Sequence, residues 1–159
     1  MLTADEIKKI PTNPDTGIAV AGKDTLLYVL GAPAEGGKEN WLLVGGQRNS
    51  PLKRKADELD ASCKSDNGWG ATLPGKKTWS IAYDGLLVLN DKGLEILDAA
   101  YMNSLQVKVK IVYPDKTYRT GWVSVTEFDD DHAHDAVSTV SVTLSGVGAI
   151  TELQPASTT

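Results

Sequence analysis

Alternation is the feature that most constrains this chain. Val140, Val142 and Leu144 interleave with Thr139, Ser141 and Thr143, and a period of two puts the apolar residues on one face of an extended strand and the hydroxyls on the other. Leu105, Val107, Val109, Ile111 and Tyr113 alternate with Gln106, Lys108, Lys110 and Val112. Pro114-Asp115-Lys116 then turns the chain, and Thr117 to Glu127 returns with Trp122, Val123 and Val125, the pattern of a long antiparallel hairpin. Trp79, Ile81 and Tyr83 repeat the alternation before Asp84-Gly85. Asp24 to Gly31 and Trp41 to Gln47 read as earlier strands, with Ala32 to Asn40 as the loop between them. One helix is predicted: Asn90 or Asp91 caps it, Leu94, Leu97 and Tyr101 form a stripe at spacings of three and four, and it ends near Tyr101.

The resulting fold class is mainly β, two packed antiparallel sheets in a sandwich or partly open barrel with one short flanking helix. At 159 residues the chain fits one domain. Residues 1–23, with Pro11, Pro14 and Asp15-Thr16-Gly17, are an N-terminal arm. Residues 24–154 are the β domain, and 155–159 a flexible tail. Phe128 to Asp135 reads as an acidic loop. Arg48 to Leu73 reads as a long polar connection without an apolar face, of a kind that usually serves function or an interface.

Charge and composition exclude several classes. The net charge is −5, so a nucleic-acid grip is disfavoured, although a surface past which nucleic acid slides is not. A lone Cys63 rules out an intramolecular disulfide and a cysteine metal cluster. The apolar runs are strand-length, too short for a membrane helix, and the beginning MLTADEIKKIP lacks the basic start and apolar stretch of a secretory signal. Assembly in a cytosol is the expectation.

The motifs that invite chemistry do not support it. Gly31 to Glu39 imitates a phosphate loop, but the spacing to Gly37-Lys38 is one residue too long and Glu39 stands where a hydroxyl would hold magnesium. Asp129, Asp130, Asp131, His132, His134 and Asp135 are a dense set of possible ligands without the glycine and terminal glutamate of a calcium loop. A solvated acidic turn, or a loop facing a basic patch on another subunit, is the simpler reading. Cys63 has no catalytic partner nearby. We therefore expect no catalytic residue, no cofactor and no metal. What remains is a charged block, Lys53, Arg54 and Lys55 beside Asp57, Glu58 and Asp60, preceded by Arg48 and followed by Trp69 in Asn67-Gly68-Trp69-Gly70. These are the candidate inter-subunit residues: mixed charge sets register between copies, and a large ring in a loop leaves water only by docking, on a neighbour or back on its own domain.

The order of segments resembles a known family. Gly46-Gln47-Arg48, Ala56-Asp57-Glu58 with Lys64-Ser65, and Gly75-Lys76-Lys77-Thr78-Trp79-Ser80 with Asp84-Gly85 occur in one stretch, Val44 to Val88. With the helix, the hairpin and the terminal VTLSGVGAIT, the chain from about Thr25 to Thr151 is similar to the major tail proteins of long-tailed noncontractile phages of the lactococcal type. That resemblance implies a tail tube fold, and six copies closing into rings that stack into a hollow tube through which genomic DNA passes without specific binding. It implies partners in the tape measure, tail tip or distal tail and tail terminator proteins, a place in the virion tail, and no membrane. Arg48 to Leu73 becomes the stacking loop, and the Asp24 to Gln47 and Gln106 to Glu127 pairs become lumen candidates. The competing readings are a monomeric β-sandwich module binding carbohydrate or protein, and the tube subunit of a contractile injection system.

Overall fold

A computed structural model describes residues 1–9 and 22–156 of the chain. Much of the predicted N-terminal arm and the end of the predicted tail thus lie outside the described residues. A short helix, α1 (Ala4–Lys8), opens the chain behind a Thr3 capping box closed by Glu6. The body holds β1 (Leu26–Leu30), β2 (Trp41–Leu43), β3 (Gln47–Asn49), β4 (Leu52–Asp60), β5 (Thr72–Leu86), α2 (Lys92–Met102), β6 (Gln106–Val112), β7 (Tyr118–Asp131) and β8 (Thr139–Val147).

Hydrogen bonding joins the strands into one eight-stranded antiparallel sheet, ordered β2-β1-β6-β7-β8-β5-β3, with β4 also on β5. The expected fold is present as its partly open barrel form, a curled sheet with a short helix, rather than as two separate sheets. Curling lets the alternating apolar faces of β1, β6, β7, β8 and β5 meet in one core: Leu27, Val29, Val109, Ile111, Val123, Val140, Val142, Leu144, Ile81 and Tyr83 are all buried. Helix α2 packs on β7, β1, β2 and β6, burying Leu94, Leu97 and Ala100. Ala100, not the expected Tyr101, completes the stripe; Tyr101 is 45% exposed.

The sheet is held in its curl by side chains acting as backbone. The Gln47 amide accepts from Leu27 N–H (2.9 Å) and donates to Leu27 C=O (2.8 Å) and Val44 C=O (2.6 Å). It thereby links the β3 edge to β1 where no strand pairing does. Asp91 caps α2 through Leu94 N–H (3.0 Å) and also accepts from Gly45 N–H (2.9 Å). Tyr83 Oη donates to Gly45 C=O at 2.7 Å. Opposite, the Trp79 indole lies over Gly121 and Gly146, where an added Cβ would fall 2.5 and 2.4 Å from ring atoms, and its Nε1 donates to Gly148 C=O at 2.9 Å.

Three boundaries differ from the sequence reading. The predicted second strand, Trp41 to Gln47, is split: β2 pairs with β1, whereas Gln47 begins β3 on β5. The acidic stretch from Phe128 is strand as far as Asp131, paired with β8, because the backbone ladder with Thr139–Val142 outweighs a run whose side chains face water. The polar connection from Arg48 to Leu73 is a loop only in part: Leu52–Asp60 is β4, paired antiparallel with β5 from Leu52↔Ile81 to Asp60↔Thr72, and residues 61–71 turn the chain between the two strands. The alternation of β4 is hidden because neither face is buried, so nothing selects apolar residues there.

Candidate assembly surface

The β4–β5 hairpin leaves the body. β8 pairs with β5 only from Ser80 to Leu86, so residues 55–78 have no third strand and form a two-stranded arm. Such a ribbon is marginal in water by itself. At its end, Ser62 Oγ accepts from Ala71 N–H at 2.8 Å and Cys63 N–H donates to Asp66 Oδ2 at 2.7 Å, which ties the turn locally. The arm exposes apolar groups all the same: Leu59 54%, Leu73 57% and Trp69 81%. Trp69 packs on nothing within its own chain that shields it.

The structure brings the other sequence candidates to the same arm. Lys53, Arg54 and Lys55 sit at its root opposite Ser80, Trp79 and Thr78. Asp57 occupies the bulge between Ala56 and Glu58 on β4, and Glu58 and Asp60 follow it. Asp60 accepts from Ser62 N–H at 2.9 Å, and the bonds to Ser62 hold its carboxyl below the usual range. Among the described residues, none of the arm's cations stands in an ion pair. Arg48 lies apart on β3.

The acidic stretch that the sequence presents as a loop forms a strand edge in its first part. β6 pairs with β7 only as far as Gln106↔Ser124, so Val125–Asp131 has β8 on one side and no strand on the other among the described residues. That edge carries Glu127, Asp129, Asp130 and Asp131. The strip β7-β8-β5-β4 therefore ends in an acidic open edge at one side and a basic open edge, Lys53 to Lys55, at the other.

By register the strip's outer face carries Ser124, Glu127, Asp129 and Asp131 on β7, Thr139, Ser141, Thr143 and Ser145 on β8, Ser80, Ala82 and Asp84 on β5, and Lys53 and Lys55 on β4. Thr126 Oγ1 lies 3.3 Å from Ser145 Oγ. Hydrogen bonding with Asp129, and its charge, push the Glu127 carboxyl above the ordinary range, against a smaller opposing effect of Thr143. The like charges accumulate because no cation on β7 or β8 faces them. The outer face of β6 differs: the Lys110 ammonium stands 4.3 Å from the Trp41 ring and 4.7 Å from that of Tyr118, and burial beneath these rings lowers its pKa.

His132 bonds Asp130 at 2.8 Å and Ser138 at 3.0 Å in the turn after β7. No group of three or more His, Cys, Asp or Glu among the described residues is placed to hold a metal.

A curled antiparallel sheet with a short helix, two open edges and a projecting hairpin is the fold class of phage tail tube proteins. The chain belongs to the phage tail tube protein family, whose model matches residues 19–152. No curated protein sequence matches significantly. Among solved structures, it is similar to a chain in the tail of an empty gene transfer agent particle refined with C6 symmetry, at 22% identity and TM-score 0.73 over 84% of this chain and 98% of that one. A chain of the SPP1 tail tube matches at 14% identity and TM-score 0.73 over 87% and 81%. A chain of the anti-feeding prophage baseplate matches at 14% and 0.62 over 88% and 96%. These likenesses show the tube-protein fold and, with the family match, support a role as a tube-forming structural subunit of a tail; nothing in them is specific to the lactococcal type.

Proposed function

We propose that the chain closes into hexameric rings that stack into the tail tube, with genomic DNA passing through the lumen during ejection. The observation that carries this reading is the β7-β8-β5-β4 strip with its acidic and basic open edges. Because successive strands are antiparallel, β4 of one copy meets β7 of the next antiparallel as well, and rotation makes the sheet continuous. Open edges are otherwise a liability. Six four-stranded strips at about 4.8 Å per strand give a barrel roughly 37 Å across before tilt. Lys53 and Lys55 then lie beside Glu127 and Asp129 of the neighbour, a pairing that sets register more than affinity.

The lumen in this reading is the hydroxyl- and carboxylate-bearing face of the strip. The resemblance made the Asp24 to Gln47 and Gln106 to Glu127 pairs the candidates. The outer face of β6 carries Lys108 and Lys110 and no carboxylate, whereas on the strip Asp84, Glu127, Asp129 and Asp131 outnumber Lys53 and Lys55 of β4, and a net cationic channel would retain phosphates. Head-to-tail stacking leaves free ends, so tape measure, distal tail or tip and terminator proteins would set length and close the polymer. Motif order favours a noncontractile tail of the lactococcal-phage type. The anti-feeding prophage likeness supports the second reading, the tube of a contractile injection system.

Negative-stain electron microscopy of concentrated protein tests the proposal. Hollow rings or tubes with sixfold averages are expected. Monomers persisting at high concentration with tail-initiation proteins added would reject it.

A further inference from the structure

The turn at the end of the β4–β5 arm demands a dipeptide whose side-chain amide is labile. Trp69 N–H donates to Asp66 C=O at 2.9 Å, closing a four-residue turn in which both central residues have positive φ: Asn67 at 51° and Gly68 at 82°. This is the primed geometry that asparagine and glycine adopt and most residues do not. Asn67 and Gly68 are exposed, and nothing lies within 4 Å of the place a Gly68 Cβ would take. Among the described residues, neither the Asn67 side-chain amide nor the Gly68 N–H has a hydrogen-bond partner. The other described asparagines differ. Asn49 lies in β3, and the Asn103 amide donates to Ala99 C=O at 2.8 Å while Ser104 N–H bonds Tyr101 C=O. Asn40 and Asn90 precede the larger Trp41 and Asp91.

We propose that Asn67 is a site of self-modification, converted to aspartate and isoaspartate by attack of the Gly68 backbone nitrogen on Asn67 Cγ. The nitrogen loses its proton to solvent base, a C–N bond forms, and the side-chain amide leaves as ammonia. A five-membered succinimide joins the two residues. Water then opens the ring: cleavage between nitrogen and Cγ gives aspartate, and cleavage between nitrogen and the Asn67 backbone carbonyl carbon gives isoaspartate. One water is consumed and one ammonia released, with no change of oxidation state. The attack requires Asn67 ψ to leave its 41°. Gly68 permits this because neither a Cβ nor a packed neighbour resists the rotation, and an arm without a third strand opens locally at little cost. Either product adds a carboxylate beside Asp66. Isoaspartate also lengthens the turn by one backbone carbon, which breaks the bond from Trp69 N–H to Asp66 C=O and displaces the Trp69 ring. The chemistry belongs to the turn and holds whether or not the chain forms tubes.

The test incubates the full chain at mildly alkaline pH in 18O-enriched water, followed by trypsin and mass spectrometry. The peptide Ser65–Lys76 should exchange its amide for a carboxylate carrying heavy oxygen before any other asparagine does, and isoaspartate methyltransferase should label it. The rate should rise with pH, because the attacking nitrogen must be deprotonated. A synthetic peptide of the same sequence sets the unrestrained rate, and the folded chain should come within about threefold of it, as expected of a segment that costs almost nothing to open. Asn67→Gln, which would need a six-membered ring, should lose both signals. An unmodified Ser65–Lys76, earlier loss at another asparagine, or isoaspartate labelling undiminished in Asn67→Gln would overturn the proposal. So would a rate in the folded chain more than about tenfold below that of the peptide, which would mean that the fold shields the turn.

Discussion

Gln47 is the residue on which the curl depends most directly. Its amide satisfies both backbone groups of Leu27 and the carbonyl of Val44, so Gln47→Leu keeps the volume and leaves those half-buried groups unpaired. A loss of about 3 kcal/mol is expected, read from urea denaturation; an unchanged midpoint would show that the latch is dispensable. Gly146 is fixed by the Trp79 ring 2.4 Å from its missing Cβ. Gly146→Ala should cost about 2 kcal/mol through overpacking, and less in a Trp79→Phe background. Tyr83 titrates in a way that exposes its packing. Burial, aided by Asp91 and then Asp84, pushes its hydroxyl from 10.0 to about 12. The folded pKa is above the unfolded one, so this contribution is fully present below pH 10 and is lost as pH rises from there to about 12. Stability measured at pH 9 and 11 should fall in the parent, and by less in Tyr83→Phe.

At the scale of elements the arm behaves differently from the body. Residues 55–78 have one strand partner, whereas β8 lies between β5 and β7. Deleting 55–78 and joining the strands by a short turn should therefore leave a folded, β-rich monomer and abolish stacking. Cooperative melting checks the first part and electron microscopy the second. Unchanged tubes would end the arm's proposed role. The deletion must spare Gln47 and Leu52, because the former latches β1 and the latter packs against the core.

The whole molecule divides its charge by location. Across the outer face of the strip Glu127, Asp129 and Asp131 stand at the β7 edge and Asp84 on β5, while Lys53 and Lys55 stand at the opposite, β4 edge. Assembly through such complementary edges should weaken as salt rises, since exposed pairs are screened. Amide hydrogen exchange offers a sharper check. Amides of residues 55–78 should exchange quickly in the monomer and become protected in the assembled state, with those of Val140–Leu144 protected in both. Reversing Asp84 and Asp131 to lysine should permit tubes but slow DNA passage in ejection assays, if that face lines the channel.

The sequence by itself determined the strands with one buried face and the helix. Val140, Val142 and Leu144, the Leu105 to Tyr113 alternation and the Asp91 cap were legible because burial imposes a period and a helix end demands an acceptor. Trp69 was legible as a large ring with no local reason to be where it is. Tertiary structure alone decided the rest. A strand exposed on both faces, such as β4, leaves no periodic trace, so it reads as a loop. The transfer of Gln47 to the opposite edge, the single curled sheet and the acidic edge of β7 depend on which distant strands supply hydrogen bonds. Alternation tells a strand which face to bury; it says nothing of which neighbour will lie beside it or which edge will be left open.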